Sequence, residues 1–406
     1  MISTNSTVLS NTRVSTSSVN GNFDFGLIWL RMQICFGAFS LLAVGVAWGQ
    51  EPRALFNGKD LSGWVLVNTP PETWSVEDGL LKCTGKPIGE LRTEQMFQNF
   101  ELELEWRHMV PKGNAGVFIW ADDITARGVP FHRGIEVQVL ENAYGNTQSH
   151  TTHGDIFPIH GATMKPVNGR GGGSRAFPTE ERSKPSPEWN HYRIVANDGN
   201  ISLAVNGKLV TEGKDASPRK GFICLESEGG VVHYRNIKVK ELPSTPVEDS
   251  QVATSARGFR SIYSGLDLKG WRPTTTAKGV WQAKDWILAF NGSVPADQSR
   301  IEGVSLGTVK GLIVDFQFTE KSEELTFALP GVASPLRISA KKNGSTTENL
   351  QKTGSWNRLE VDLAQQQPSA SINGKPIQMN LQRNAESTTL AIESSGPVNL
   401  ANLYVR

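Results

Sequence analysis

Cysteine is scarce in this chain, with three in 406 residues, so covalent cross-links cannot carry the fold. Cys35 lies in an apolar N-terminal run, which leaves Cys83 in GLLKCTG and Cys224 in GFICLES. An oxidising compartment would permit one disulfide between them. Two buried free thiols packing as small hydrophobes are the favoured reading for these strand-like surroundings. An excess of either charge is also missing. Lys and Arg number 41 against 40 Asp and Glu, for a net charge of +1. No basic stripe stands out, so nucleic acid is not an expected partner. Beyond residue 50 no amphipathic helix of three turns can be traced. What is plentiful is Gly (40), Pro (21) and Trp (11), the composition of many turns and short strands. The length suits two domains better than one.

The N-terminus reads as a targeting segment. Residues 1–22 are rich in Ser, Thr and Asn; Arg31 then precedes the apolar run MQICFGAFSLLAVGVAWG at 32–49. Ala47 and Gly49 are small residues spaced as at a cleavage site, so 1–49 is expected to be a signal or leader and the protein to be exported, periplasmic or extracellular. An uncleaved membrane anchor is the alternative, since the run is nearly long enough to span. If the leader is cleaved, no stable membrane insertion is expected.

The rest of the chain contains internal similarity. LFNGKDLSGW (55–64) returns as IYSGLDLKGW (262–271), and EWNHYRIV around Trp189 returns as SWNRLEVD around Trp356. ISLAVNGKLV (201–210) returns as PSASINGKPI (368–377), and ICLESEGG (223–230) as LAIESSGP (390–397). The second copy is about 40 residues shorter, all of it lost between the first and second landmarks. A Pro/Ser/Thr-rich stretch, 243–258, reads as a linker. The expected organisation is a sandwich over 53–242, the linker, and a second, degenerate sandwich over 259–406.

Within each copy the pattern is β. FELELEWR (100–107) alternates strictly, with Phe100, Leu102, Leu104 and Trp106 on one face and Glu101, Glu103, Glu105 and Arg107 on the other. GIEVQVLE (134–141) alternates too, opposing Ile135, Val137 and Val139 to Glu136 and Gln138. Asn206-Gly207 and Asn373-Gly374 sit between alternating runs, a strong two-residue hairpin signal.

The ordered motifs FNGKDLSGW, LRTEQMFQNFELELEWR, GNAGVFIW, GIEVQVLE, HGDIFPI, WNHYRIV, VNGK and HYRNIKVKEL resemble the DUF1080, or 3-keto-disaccharide hydrolase, family. The likeness covers roughly 53–242. It implies a concanavalin-A-like jelly roll, here two in tandem in an all-β chain, and action on glycosides that carry a ketone at C3.

Glu136 is the leading candidate for chemistry, mid-strand on a polar face with Gln138 beside it and Glu141 three residues beyond Gln138. E-V-Q-V-L-E looks like the E-x-D-x-x-E strand of laminarinase-type glycosidases, with Gln for the central Asp. A double-carboxylate retaining mechanism needs two carboxylates about 5 Å apart, so the amide disfavours it on this strand. A 3-keto sugar needs only a base for the C2 proton, a donor for the leaving group and a group to steady the enolate. Glu136 could be that base, with Gln138 on a sugar hydroxyl, or else a strand carboxylate paired to a cross-strand Arg.

SHTTHGDIFPIHGA (149–162) gathers His150, His153, Asp155 and His160 in the stretch the second copy lacks. His153 and Asp155 could act in acid–base chemistry and His160 could touch substrate. The same three carry side chains suited to a divalent metal, though their spacing matches no standard metal motif. Arg107 and Arg235 are candidate enolate partners or plain surface ion pairs, and Trp120 is a sugar-stacking or core residue. Glu141 could join them only if a bulge turned it. NGRGGGSR (168–175) lacks the strand and helix of a phosphate loop and reads as a mobile loop at the site mouth. No organic cofactor is required. A carbohydrate-binding protein without turnover is the rival reading, because such sandwiches host both roles.

Overall fold

The computed structural model describes residues 51–406 apart from 171, 275–277, 304–305, 342–346, 379–381 and 383–387. The expected leader, with Cys35, lies outside the described residues. Alternation in the sequence becomes pleated sheet throughout. Phe100–His108 buries Phe100, Leu102, Leu104 and Trp106 and turns its Glu residues outward. That strand sits inside a nine-stranded antiparallel sheet, between Asn190–Asn197 and Val232–Glu241. Facing it across a continuous core is a six-stranded sheet in the order Trp64–Val67, Gly89–Thr93, Phe222–Ser227, Gly116–Ala121, Gly134–Val139, His153–Ile159. Residues after 259 repeat the plan on a smaller scale, with an eight-stranded and a five-stranded sheet around a separate core. The fold is all-β, in two jelly-roll sandwich halves. Each large apolar side chain in these cores contributes about 1.5–3 kcal/mol.

The landmarks that recur in the sequence make the same bonds in both halves. Trp64 Nε1 donates to the Leu55 carbonyl at 2.9 Å, and Trp271 Nε1 to that of Ile262 at 3.0 Å. Asn206 takes φ 48° and Asn373 φ 54°, each followed by a left-handed glycine, as the two-residue turn demands. From that turn Asn206 Nδ2 reaches Asn190 Oδ1 at 3.0 Å, and Asn373 Nδ2 reaches Asn357 Oδ1 at 2.9 Å. The Trp-Asn strands and the Asn-Gly hairpins are thus two ends of one clasp.

The described residues form one compact unit. The segment 243–258 is tied down rather than loose. Asn99 and Gln98 donate to the Pro243 and Thr245 carbonyls, and Ala253 N donates to Lys220 O at 2.7 Å. The halves meet at residues 122–131 of the first, which the second receives, and at Asn68, whose Nδ2 donates to Asn402 Oδ1 at 2.9 Å. Asp315, fully buried, pairs with Arg358 at 2.7 Å and accepts Gly128 N at 2.8 Å. Arg358 donates to Thr125 O, and Asn402 Nδ2 to Ala126 O and Val129 O, at 2.9 to 3.0 Å. Among the described residues, no helix is long and apolar enough to cross a membrane.

Candidate functional site

The polar face of Gly134–Val139 is not solvated. Ile135, Val137 and Val139 enter the core as the alternation predicts, yet Glu136 and Gln138 are only 8% and 6% exposed. Strand register explains the crowding. Glu136 lies opposite Phe118 on one side and Phe157 on the other, and Gln138 opposite Gly116. Glu226, from Phe222–Ser227, comes up on the same face. A side chain at Gly116 would stand 2.9 Å from Glu136 Oε1 and 3.1 Å from Glu226 Oε2, so this glycine leaves open the space on which both carboxylates converge. Glu226 Oε2 has no hydrogen-bond partner there.

Glu228, just past the strand end, completes a group of three acids. Burial, reinforced by Glu228 and Asp155 and opposed by Arg175, pushes the Glu136 carboxyl up to about 8. Burial, then the negative charges of Glu136 and Glu228, hold Glu226 well above the carboxylate range. Glu228 is raised by burial to about 7, while hydrogen bonds from Glu226 and Asn114 favour its ionised form. Packed this closely, the three titrate as a unit and carry fewer than three charges at neutral pH.

A polar chain runs from this cluster along the sheet. Asn114 donates to Glu228, and Gln138 Nε2 donates to Asn114 Oδ1 at 3.2 Å. Arg175 lies 3.5 Å from Gln138 Oε1, binds Asp155 at 2.8 Å and stacks on Phe157, 3.4 Å from the ring centre. Asp155 is fully buried and also accepts the Thr151 amide at 3.0 Å. Arg175 closes the glycine-rich loop, whose Gly171 lies outside the described residues. The loop is pinned through Ala176, which exchanges backbone hydrogen bonds with Ile156.

Of the residues singled out from the sequence, Glu136, Gln138 and Asp155 come together; the others do not. His153 lies beneath the site, bonded to Thr152 Oγ1 at 2.7 Å and to Ser183, and burial lowers it to about 4. It ties its own strand to the loop at Ser183 and stands apart from the acid cluster. His160 is an exposed turn residue stacked on Phe131, away from Asp155, so His153, Asp155 and His160 do not converge on a metal. Glu141 is worked against by burial, but Lys112, Ala143 and Ser186 amides hold its carboxyl below the usual range. It caps the short turn Asn142–Tyr144 and no bulge brings it to Glu136. Arg107 and Arg235 flank Trp189, 4.5 and 4.0 Å from its ring, on the outer face of the opposite sheet. Arg235 also pairs with Glu105.

Trp120 is fully buried in the core, its Nε1 donating to Gln98 O at 2.7 Å. Alternation would have put it outside beside Phe118. Instead the strand bulges: Phe222 opposes Ala121 and Cys224 opposes Phe118, so Ile119 and Trp120 share one partner position and both turn inward. A sugar cannot reach Trp120. Cys83 and Cys224 are free and buried, so the disulfide alternative is set aside.

Sequence reasoning missed Glu226, Glu228 and Arg175. ICLESEGG was visible as a landmark, and its counterpart LAIESSGP keeps Glu393 for Glu226 but has Ser395 for Glu228. Glu393 is neutralised by Arg300 at 2.8 Å. A second acid present in only one copy was the available signal. Among the described residues, one group has the spacing to hold a metal, Glu90, His132 and Cys224, on the same sheet face. A groove of about 370 Å³ is lined by Arg257, Phe259, Glu360 and Arg406 and contains none of the acid-cluster residues.

The first half is therefore a jelly-roll sandwich that carries a buried acid cluster on the outer face of its smaller sheet. Residues 51–240 match the family model for the 3-keto-alpha-glucoside-1,2-lyase-like domain, which supports the family resemblance read from the motifs. A Bacteroides thetaiotaomicron protein named 3-keto-disaccharide hydrolase is 26% identical over 233 residues, 46% of this chain and 77% of that protein. Among solved structures, a Parabacteroides distasonis protein provisionally described as a glycosyl hydrolase is 22% identical, with 48% of this chain and 94% of that one covered and a TM-score of 0.37. The carbohydrate-binding module CBM66 of Bacillus subtilis is 12% identical, with 44% and 96% covered and a TM-score of 0.32.

Proposed function

We propose that the protein is an exported enzyme that cleaves the glycosidic bond of 3-keto-glycosides by β-elimination followed by hydration. The observation that carries this reading is the trio of raised carboxyls, Glu136, Glu226 and Glu228, on one sheltered sheet face. A ketone at C3 acidifies the C2 hydrogen. Glu228, the member whose neighbours favour ionisation, takes that proton, and the electron pair forms the enolate. Collapse of the enolate opens the C1–O bond and leaves a C1=C2 double bond. Glu136, held protonated by burial, gives its proton to the departing oxygen. Water then adds at C1 and gives its proton to the Glu136 carboxylate, and the proton on Glu228 returns to C2, so both acids regain their starting states. The starting expectation of Glu136 as base thus becomes Glu136 as acid. Arg175 and Gln138 sit where a sugar hydroxyl or the enolate oxygen can be held. Export rests on the 32–49 apolar run and its small-residue ending.

The test compares two substrates on the full chain. A 3-keto-disaccharide has a poor leaving group, and a 4-nitrophenyl 3-keto-glucoside has one that leaves without a proton. Glu136→Gln is expected to lose at least about 100-fold in kcat on the disaccharide and little on the nitrophenyl substrate, while Glu228→Gln loses on both. Binding without release of either product by the wild type would favour the carbohydrate-binding reading instead.

A further inference from the structure

Glu90, His132 and Cys224 take no part in the chemistry above. Glu90 and Cys224 stand on adjacent strands, one step apart diagonally, since Glu226 opposes Glu90 and Cys224 opposes Arg92. His132 comes from a different element, the segment between Gly116–Ala121 and Gly134–Val139, folded back over the sheet. All three are buried, with His132 and Glu90 completely inaccessible. They pack against an apolar cluster of Phe118, Ala121, Phe222, Met96 and Phe131, with Arg92 and Asp122 near Cys224 and His160 near His132. One ligand atom of each lies within 4.8 Å of the other two.

The three groups converge on a single nitrogen. Cys224 Sγ is 3.7 Å from His132 Nδ1, and a Glu90 carboxylate oxygen touches the same Nδ1. One imidazole N–H can serve only one of them. The His132 backbone amide occupies the other Glu90 oxygen at 3.2 Å. Arg92 lies over the Phe222 ring at 4.2 Å and donates to Thr93 O at 2.7 Å, with no bond to Glu90. Among the described residues, the one ion-pair partner of Glu90 is His132. A carboxylate, an imidazole and a thiol are thus buried against one another with fewer donors than acceptors among them, a costly arrangement.

We propose that Glu90, His132 and Cys224 form a structural site for a divalent cation of the zinc class, bound through a carboxylate oxygen, Nδ1 and Sγ. Thiolate, carboxylate and a 2+ ion sum to zero, the net charge an apolar pocket favours. A mixed sulfur, nitrogen and oxygen set is the donor chemistry of zinc. A tetrahedral centre with ordinary zinc bond lengths separates sulfur and nitrogen by about 3.6 Å, close to the spacing present. Binding deprotonates the Cys224 thiol and releases that proton to solvent, and the Glu90 oxygen withdraws from the ring nitrogen to admit the ion. The element so pinned is the one that carries Thr125, Ala126, Gly128 and Val129 to the second half. The ion therefore holds the docking segment to the sheet. This site stands apart from the sugar chemistry, and either can fail without the other.

The test unfolds the full chain in denaturant with a chelator, removes both, and refolds it with one equivalent of Zn(II) or Co(II). One ion per chain is expected to survive gel filtration, with a thiolate-to-cobalt charge-transfer band in the Co(II) form and a higher melting temperature than the metal-free refolded chain. Cys224→Ser and His132→Gln, checked for folding by circular dichroism, should each retain at least tenfold less metal. If either fails to fold, Glu90→Gln takes its place. Refolded wild type that retains no metal, or variants that retain as much as wild type, would overturn the proposal.

Discussion

A carboxyl held protonated by its surroundings leaves a signature in stability as well as in rate. Glu136 binds its proton more tightly in the folded chain than in the unfolded one, with a folded value near 8. Between the ordinary carboxylate value and 8, the folded state therefore carries the extra proton, and raising the pH across that window destabilises the fold. The slope for one such proton is about 1.4 kcal/mol per pH unit. Urea titrations from pH 5 to 8 are expected to show falling stability for the wild type and a clearly shallower fall for Glu136→Gln. The same pair of acids predicts a bell-shaped kcat/KM profile. Its rising limb follows ionisation of Glu228 near 7 and its falling limb follows loss of the Glu136 proton near 8. Arg175 gives a third test. Its partner Asp155 is fully buried, so Arg175→Met strands a charge and should cost about 3 kcal/mol, measured by urea unfolding. Pairing that change with Asp155→Asn should recover part of the loss.

At the scale of the strand, the Trp120 bulge sets what the site contains. It turns Trp120 into the core and leaves Phe118 and Ala121 on the outer face with the acids. The bulge needs Gly221 beside it, because a side chain there would lie 2.4 Å from the Trp120 carbonyl carbon. Gly221→Ala should lower stability by about 1–3 kcal/mol in thermal denaturation. Gly116→Ala would instead fill the space between Glu136 and Glu226, and is expected to cut turnover while the circular dichroism spectrum stays native. These contacts also mark what could be read beforehand. Alternation placed Phe100 to Trp106 and Ile135 to Val139 correctly, because period two is a property of the strand alone. It misplaced Trp120, because a bulge depends on which glycine approaches from the next strand. Glu136 was legible for its position on a polar face. Glu226 and Glu228 were not, because only strand register brings residues about 90 positions apart in sequence onto that face.

Across the whole molecule, the two halves are joined by polar groups as well as by apolar surface. Asp315, Arg358 and Asn402 of the second half are buried or nearly so and are satisfied in part by backbone atoms of 125–129. Asp315→Ala removes one charge of a buried pair and should cost about 3–5 kcal/mol. Calorimetry should then resolve two transitions where the wild type gives one. The arrangement also makes the two halves unequal partners. Pulled apart, the first loses the main-chain contacts of its loop, the side-chain bonds of Asn68, Thr125 and Arg127, and the apolar cover over Ile124. The second would face solvent with a recess shaped for a loop it does not own, lined by an acid, a guanidinium and an amide. Each half leans on the other: the half that carries the chemistry lends a loop, and the half without it is built around that loop.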